Sequence, residues 1–453
     1  MTNIDTLIHA KWVIPVEEEP DLEPTPDLTT SSVVYNDYAV AIDKGRIVEL
    51  LPSTEARQKY QANETHQLLN HALLPGLINT HGHAAMTLMR GLADDLPLMT
   101  WLHDYIWPIE AKWTNNDFVY DGSLIACAEM LRGGTTCFTD MYFFPEEVAR
   151  AAEKANIRAM LGLIVIDFPS AYAQDAEEYI EKGLALHDQL RGNALIKTSF
   201  APHAPYTVAD EALIKINTLA EELDIPIQIH LHETEDEVNQ AVVTTGKRPI
   251  QRLQELGLLS SRLIAVHMTQ LNDDEIETLT TQGVHIAHCP ESNLKLASGF
   301  CPVQKLTDAG INVALGTDGA ASNNDLDMFS EMRTAALVAK AVAKDASAVS
   351  AGQALRMATI NGAKALGLDN EIGSLLAGKA ADIIAVDFSA IETMPMYHPI
   401  SQLVYAANRQ QVSDVWVAGK HVIKQHTLTT LDTEHLCKTA QQWQEKIAPS
   451  HNT

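Results

Sequence analysis

Pro75-Gly76-Leu77-Ile78-Asn79-Thr80-His81-Gly82-His83 is the stretch from which the fold can be read. An apolar run, Leu73 to Ile78, ends in a His-x-His. Side chains two apart on a strand point the same way, so His81 and His83 would project together from one strand end. Two imidazoles so placed make half of a divalent metal site. Taken alone, the tripeptide fits two surface histidines in a turn equally well, because short motifs carry false positives. The rest of the chain decides.

From residue 73 onward, apolar strand candidates alternate with long helical stretches. The candidates are 73–80, 135–140, 158–166, 195–202, 226–232, 263–267, 284–289 and 312–318. Helical segments such as Asp117 to Arg132, Pro145 to Asn156, Asp210 to Leu223 and Asp273 to Gln282 fill most gaps. Strands alternating with helices imply a parallel sheet, and eight such units predict an α/β fold, a (β/α)8 TIM barrel. Both ends of the chain are β-rich. Leu7 to Ile14 reads as a strand, and Tyr38 to Ile42 and Arg46 to Leu50 flank the hairpin signal Asp43-Lys44-Gly45. Ala381 to Asp387 and Val412 to Lys420 read as strands, followed by a helix from Thr433 to Ile447. Neither end makes a domain alone, so they are expected to pair into one small β-sandwich. The expected division is 1–72, N-terminal part of the sandwich; 73–374, catalytic barrel; 375–453, C-terminal part plus terminal helix. Glu17 to Ser32, rich in Glu, Asp, Pro, Thr and Ser, is expected to be a solvated, mobile loop, with a docking role as the alternative.

A chain of 453 residues with 46% hydrophobic and 20% charged content has the composition of a globular protein with a sizeable core. Its net charge of −27 repels phosphate backbones and anionic membranes, which argues against a nucleic-acid polymer or a membrane as partner. A neutral or zwitterionic small molecule stays open. The five cysteines form no Cys-x-x-Cys pair, which fits a reducing compartment. The N-terminus carries no basic-then-apolar leader, and no run of about 18 apolar residues occurs. A soluble cytoplasmic protein is expected.

Chemistry in such barrels sits at the C-terminal strand ends. There the chain places His81 and His83, then His203, His230-Leu231-His232-Glu233, His267, His285 and His288, and Thr317-Asp318. A catalytic metal needs three or four protein ligands and one open position. His81, His83 and His230 supply neutral nitrogen. Asp318 supplies a carboxylate that can both bind metal and take a proton from water. His267 is placed to hold that water. Glu233, three residues after His230, suits proton transfer to a substrate. His232 alternates with His230 and by strict pleating points the same way, so geometry alone leaves it open as a ligand. His285 and His288 read more simply as packed or loop histidines.

These motifs resemble those of the amidohydrolase superfamily, and more closely the 5-methylthioadenosine/S-adenosylhomocysteine deaminase family, over about residues 4 to 425. The resemblance rests on Pro75 to His83, Met86-Thr87-Leu88-Met89-Arg90-Gly91-Leu92-Ala93-Asp94-Asp95-Leu96 and Trp107-Pro108-Ile109-Glu110. It rests also on Asp140-Met141-Tyr142-Phe143, Pro202-His203-Ala204-Pro205-Tyr206, Ser292-Asn293-Leu294-Lys295-Leu296 and Leu315 to Asn324.

The resemblance implies metal ligands at His81, His83, His230 and Asp318, with His232 a non-ligand. It implies catalysis by Glu233, His267 and Asp318, and substrate contacts from Glu110, His203, Glu233 and Asp318. It further implies one divalent metal per subunit, zinc foremost, and a homo-oligomer, dimer or tetramer. The reaction implied is hydrolytic deamination of 5′-methylthioadenosine, or of S-adenosylhomocysteine or adenosine, to the inosine analogue and ammonia. Met86, Leu88, Met89 and Leu92 would line a methylthio site. One departure is an arginine that some members carry just after strand three, where Leu163 aligns. Lys197, on strand four, raises a lysine-bridged binuclear site as an alternative, but lies well before the strand end. The rival functions are a deaminase or dechlorinase of guanine, cytosine or s-triazine rings, which has no ribose diol for Glu110; a cyclic amidase, which would want the binuclear site; and a non-catalytic barrel scaffold, which would have no reason to keep a full ligand set.

Overall fold

The structure, a computed structural model, describes residues 1–17 and 33–451. The loop expected at Glu17 to Ser32 therefore lies, past Glu17, outside the described residues. Among the described residues, sixteen strands run in chain order as β1 (Thr2–Val13), β2 (Tyr35–Asp43), β3 (Arg46–Pro52), β4 (Tyr60–Pro75), β5 (Leu77–Asn79), β6 (Thr135–Asp140), β7 (Arg158–Val165) and β8 (Ile196–Pro202). Then follow β9 (Ile227–Leu231), β10 (Leu263–His267), β11 (His285–His288), β12 (Val313–Leu315), β13 (Ile383–Asp387), β14 (Val412–Val417), β15 (Lys420–Lys424) and β16 (Thr427–Leu428).

They form two eight-stranded sheets. One has the order β16-β15-β14-β13-β4-β1-β2-β3 and so joins the N- and C-terminal segments. It is mixed: β1 runs parallel to β4 and antiparallel to β2. Its core holds Ile8, Val40, Leu73, Ile383 and Trp416, apolar residues of both chain ends. The other sheet is the barrel, with strands β5 to β12 neighbouring one another in chain order. Strands β6, β7, β9 and β10 are buried at every position, as parallel strands covered on both faces must be. The ring closes at its C-terminal end, where the Thr80 N–H donates to the Leu315 carbonyl at 2.9 Å and the Thr80 hydroxyl donates to the same oxygen at 2.8 Å.

The first barrel strand is shorter than the apolar run suggested. Leu73 to Pro75 end β4, a strand of 16 residues, and β5 begins only at Leu77. Gly76 separates them because a Cβ there would lie 2.0 Å from the Thr136 hydroxyl oxygen. Most of β4 shows no apolar stripe: after the buried Tyr60, residues 61–71 are exposed or half-buried.

The described chain divides into two compact units. One comprises Met1–Ile78, Met130–Cys137 and Asp327–Leu431; the other comprises Asn79–Glu129, Phe138–Leu326 and Asp432–Thr453. Every candidate site residue belongs to the second. So does the terminal helix Thr433–His451, whose Trp443 indole N–H donates to Asp121 at 2.8 Å.

Candidate active site

Three barrel strands deliver the four donors. His81 and His83 follow β5, His230 lies in β9, and Asp318 follows β12. The donor atoms of all four lie within 4.8 Å of one another. Nε2 of His81 stands 3.0 Å from Nε2 of His230, and Oδ1 of Asp318 stands 3.2 Å from Nε2 of His83 and 3.6 Å from Nε2 of His81.

The far side of each ring explains why these atoms converge. Nδ1 of His81 meets Oε1 of Gln228 at 3.1 Å, Nδ1 of His83 the Met141 carbonyl at 2.6 Å, and Nδ1 of His230 the His203 carbonyl at 2.8 Å. All three acceptors are oxygens, so each Nδ1 carries a proton and each Nε2 is the atom turned inward, with a free lone pair on the neutral His81 and His230. Facing lone pairs at 3.0 Å repel unless a cation or proton lies between them. Three imidazoles and one carboxylate are the donor set of a divalent transition ion, so the residues fit such an ion. The wild-type ligand geometry leans on Gln228, whose amide also donates to the Thr80 carbonyl at 2.8 Å. Gln228→Leu is expected to lower metal affinity by about 10- to 100-fold with the fold intact, measured by competition with a chelator.

Asp318 is held from three more directions. The Ser292 and Ser322 hydroxyls donate to Oδ2 at 2.6 and 3.0 Å, and the Gly319 N–H donates to Oδ1 at 2.7 Å. Burial opposes its charge, but the His81 and His83 imidazoles beside it outweigh burial and hold the carboxyl well below the usual carboxylate range. The His83 imidazole responds in kind: burial works against its charge, yet Asp318 pushes it up to about 9. A metal ion held there would displace that proton.

His267 ends β10 with Nδ1 on the Asn293 side-chain oxygen at 2.8 Å, which turns Nε2 toward Glu233, 3.8 Å away. Glu233 also accepts from the Ser298 hydroxyl at 3.3 Å. Burial, then the charge of Asp318, pushes the Glu233 carboxyl up to about 8. Glu110, on the helix Trp107–Trp113, accepts from the Tyr142 hydroxyl at 2.7 Å, and burial pushes it up to about 7. His203, at the end of β8, has Nδ1 at 3.0 Å from the Thr207 hydroxyl, and burial pushes it down to about 3, so it is neutral. His267, Glu233, Glu110, Tyr142 and His203 line one cavity of about 440 Å³, together with Met86, Trp101, Trp107, Ile164, Ile166 and Phe168.

The remaining candidates lie elsewhere. His232 takes φ +53°, which breaks the strand's alternation and sends its ring away: Nδ1 meets the Gln270 carbonyl at 2.9 Å and Nε2 accepts from the Ile250 N–H at 3.2 Å. His285 pairs with Asn312 at 2.9 Å, and His288 is buried; neither joins the cluster. The Lys197 ammonium donates to the Asn193 carbonyl at 3.1 Å from an exposed position. Leu163 lies inside β7 rather than after it and faces Gly183 of the helix Ala176–Leu190, so it has no bearing on the substrate. Of the apolar residues expected around a methylthio group only Met86 lines the cavity, because residues 84–89 form a 3-10 turn that buries Met89 elsewhere.

Sequence reasoning assigned no role to Gln228, Tyr142, Ser292, Asn293 or Ser298. A signal existed for Gln228: it precedes His230 by two on one strand and so shares its face.

A cluster of donors able to hold a metal at the C-terminal rim, open to a cavity on one side, is the arrangement of a metal-dependent barrel enzyme. The chain belongs to the amidohydrolase family, whose model matches residues 72–422. It is 49% identical to a 5-methylthioadenosine/S-adenosylhomocysteine deaminase of Teredinibacter turnerae, over 98% of each chain. It is 50% identical to one of Saccharophagus degradans, over 98% of this chain and 97% of that one. Among solved structures, an adenosine deaminase from Xanthomonas campestris with bound zinc is similar at a TM-score of 0.95 and 50% identity, covering 99% of each chain. No described helix is long and apolar enough to cross a membrane.

Proposed function

We propose that the chain is a hydrolytic deaminase of 5′-modified adenosines, with 5′-methylthioadenosine as its substrate. The observation that carries this reading is the convergence of His81, His83, His230 and Asp318 beside a proton-bearing Glu233, in the cavity that Glu110 also lines. The names of the two half-identical relatives support the substrate class. A divalent ion held by His81, His83, His230 and Asp318, zinc foremost, would supply the Lewis acidity that lets water ionise near neutral pH.

The chain's own groups do the rest. Asp318 takes a proton from the attacking water, and His267 orients that water through its inward Nε2. The water oxygen bonds to C6 of the purine as Glu233 protonates N1, so the ring electrons have a place to go. Proton return through Glu233 and Asp318 to the exocyclic nitrogen breaks the C6–N bond and releases ammonia, leaving the inosine analogue. Glu110 accepts from the ribose hydroxyls, and neutral His203 contacts the substrate.

The barrel segment 73–374 holds every one of these residues, which supports treating it as the catalytic part between 1–72 and 375–453. A homo-oligomer, dimer or tetramer, and a cytoplasmic location complete the reading; all five cysteines being free supports the latter.

The cavity's lining separates the substrates. Beyond β7 it presents Ile166 and Phe168, and no lysine or arginine lines it among the described residues. An uncharged methylthio group suits such walls, whereas a homocysteine tail brings a carboxylate and an ammonium that would lose water without gaining partners. The kcat/KM for 5′-methylthioadenosine is therefore expected to exceed that for S-adenosylhomocysteine by at least about tenfold, roughly 1.4 kcal/mol. Ammonia release across both nucleosides, with metal analysis of the same sample, tests the reading. Release from neither by metal-loaded protein sinks it, and equal rates sink the tail argument alone.

A further inference from the structure

We infer that Glu64, His66 and His421, in the mixed sheet, form a second divalent transition-metal site that clamps β4 to β15. Their donor atoms lie within 4.8 Å of one another. Oε2 of Glu64 is 3.6 Å from Nε2 of His66, and the two imidazoles meet edge to face with centroids 5.1 Å apart at 88°.

Three observations point to a ligand here rather than to packing alone. First, Nε2 of His66 is buried and has no hydrogen-bond partner. A buried polar atom left so is destabilising, and a bound cation would offset that cost. Second, both rings are already oriented. Trp416 stacks on His421 at 4.3 Å and 16° and meets His66 edge-on at 5.4 Å. Third, the His421 ring is tied at 2.9 Å to Asp414, a buried carboxylate, the kind of partner that orients metal-binding histidines.

The donor set selects the ion. Two imidazoles and one carboxylate suit zinc, cobalt, nickel or copper, and disfavour magnesium and calcium, which want all-oxygen shells. Glu64 is exposed, so water can complete the shell. The placement suggests the task. In the sheet order β13 and β14 stand between β4 and β15, so the side-chain contact arises only because the sheet curls. An ion there would tie residues 64 and 66 to residue 421 and stabilise that curl as any ligand of the native state does.

The test is a metal count on full-length protein loaded at the barrel and then equilibrated with excess zinc and desalted. Two ions per chain are expected. His66→Gln and His421→Gln, which keep side-chain volume, should each return the count to one, leave circular dichroism unchanged and leave kcat/KM for the barrel reaction unchanged. The thermal midpoint should rise with added zinc in the wild type and stay flat in His66→Gln. The count reads metal directly and does not depend on the substrate proposed above. A wild-type count that stops at one overturns the site. So does a second ion that survives both substitutions, since other surface imidazoles would then hold it.

Discussion

Glu233→Gln is expected to lower kcat by about two to four orders of magnitude while bound metal stays at the wild-type level. The amide keeps the size of the carboxyl and can still accept from the Ser298 hydroxyl, so the cavity retains its shape. What it loses is the transferable proton. Burial and the charge of Asp318 keep a proton on Glu233 to about pH 8, whereas an amide has none to give at any pH near neutrality. Attack at C6 without protonation at N1 would place negative charge on a ring nitrogen in a water-poor cavity, which is why the cost falls on the chemical step. Metal content should hold because Glu233 is outside the four-donor group. Single-turnover formation of the inosine analogue and metal analysis of the same preparation check both halves. Turnover at the wild-type rate would show that another group carries the proton; loss of the metal would show that Glu233 is part of the metal site.

The rim of the barrel was readable from the chain because two rules coincide there. Parallel strands are buried on both faces, so β6 to β12 stand out as apolar runs, and polar residues at their ends are conspicuous against that background. His81, His83, His230, His267 and Asp318 were found this way, and the structure brings all five together. What stayed hidden depends on backbone turns that no local pattern announces. His232 obeys alternation on paper, but Glu237 accepts its N–H at 3.1 Å, its φ is +53°, and its ring leaves the site. His267 and Asp318 also take positive φ, +75° and +63°, a strained setting typical of functional strand ends and unreadable from residue type. The apolar wall of the cavity was equally hidden. It comes from residues around Trp101 and Trp107 and from Ile166 and Phe168, which only the closed ring brings to one cavity.

Gly316→Ala is expected to damage the site more than Gly82→Ala, although Gly82 sits inside the His-x-His itself. A Cβ on Gly316 would stand 2.7 Å from the His81 nitrogen, 2.9 Å from its Cβ and 3.0 Å from its carbonyl oxygen. Two of these are backbone atoms, which no rotamer change can move aside. They are pinned further, since the His81 carbonyl accepts the Asp318 N–H at 3.0 Å and Gly316 itself donates to the His288 carbonyl at 2.9 Å. The added methyl must therefore push the strand end that carries His81 away from the one that carries Asp318. Overpacking of this kind costs about 1–3 kcal/mol of stability. A displacement near 1 Å of a group at the reacting centre costs about a hundredfold in rate. Metal affinity should fall with it, because His81 and Asp318 both belong to the four-donor group. At Gly82 the nearest atoms to an added Cβ are 3.5 to 3.7 Å away, ordinary contacts, and the backbone there is not left-handed. Gly82→Ala should be neutral or stabilising by about 0.4–1 kcal/mol through the unfolded chain. Thermal unfolding, chelator competition and kcat on the two variants side by side give the comparison. Equal behaviour of the two would mean that strand-end spacing does not limit the site, and that the four donors tolerate movement of β12 against β5.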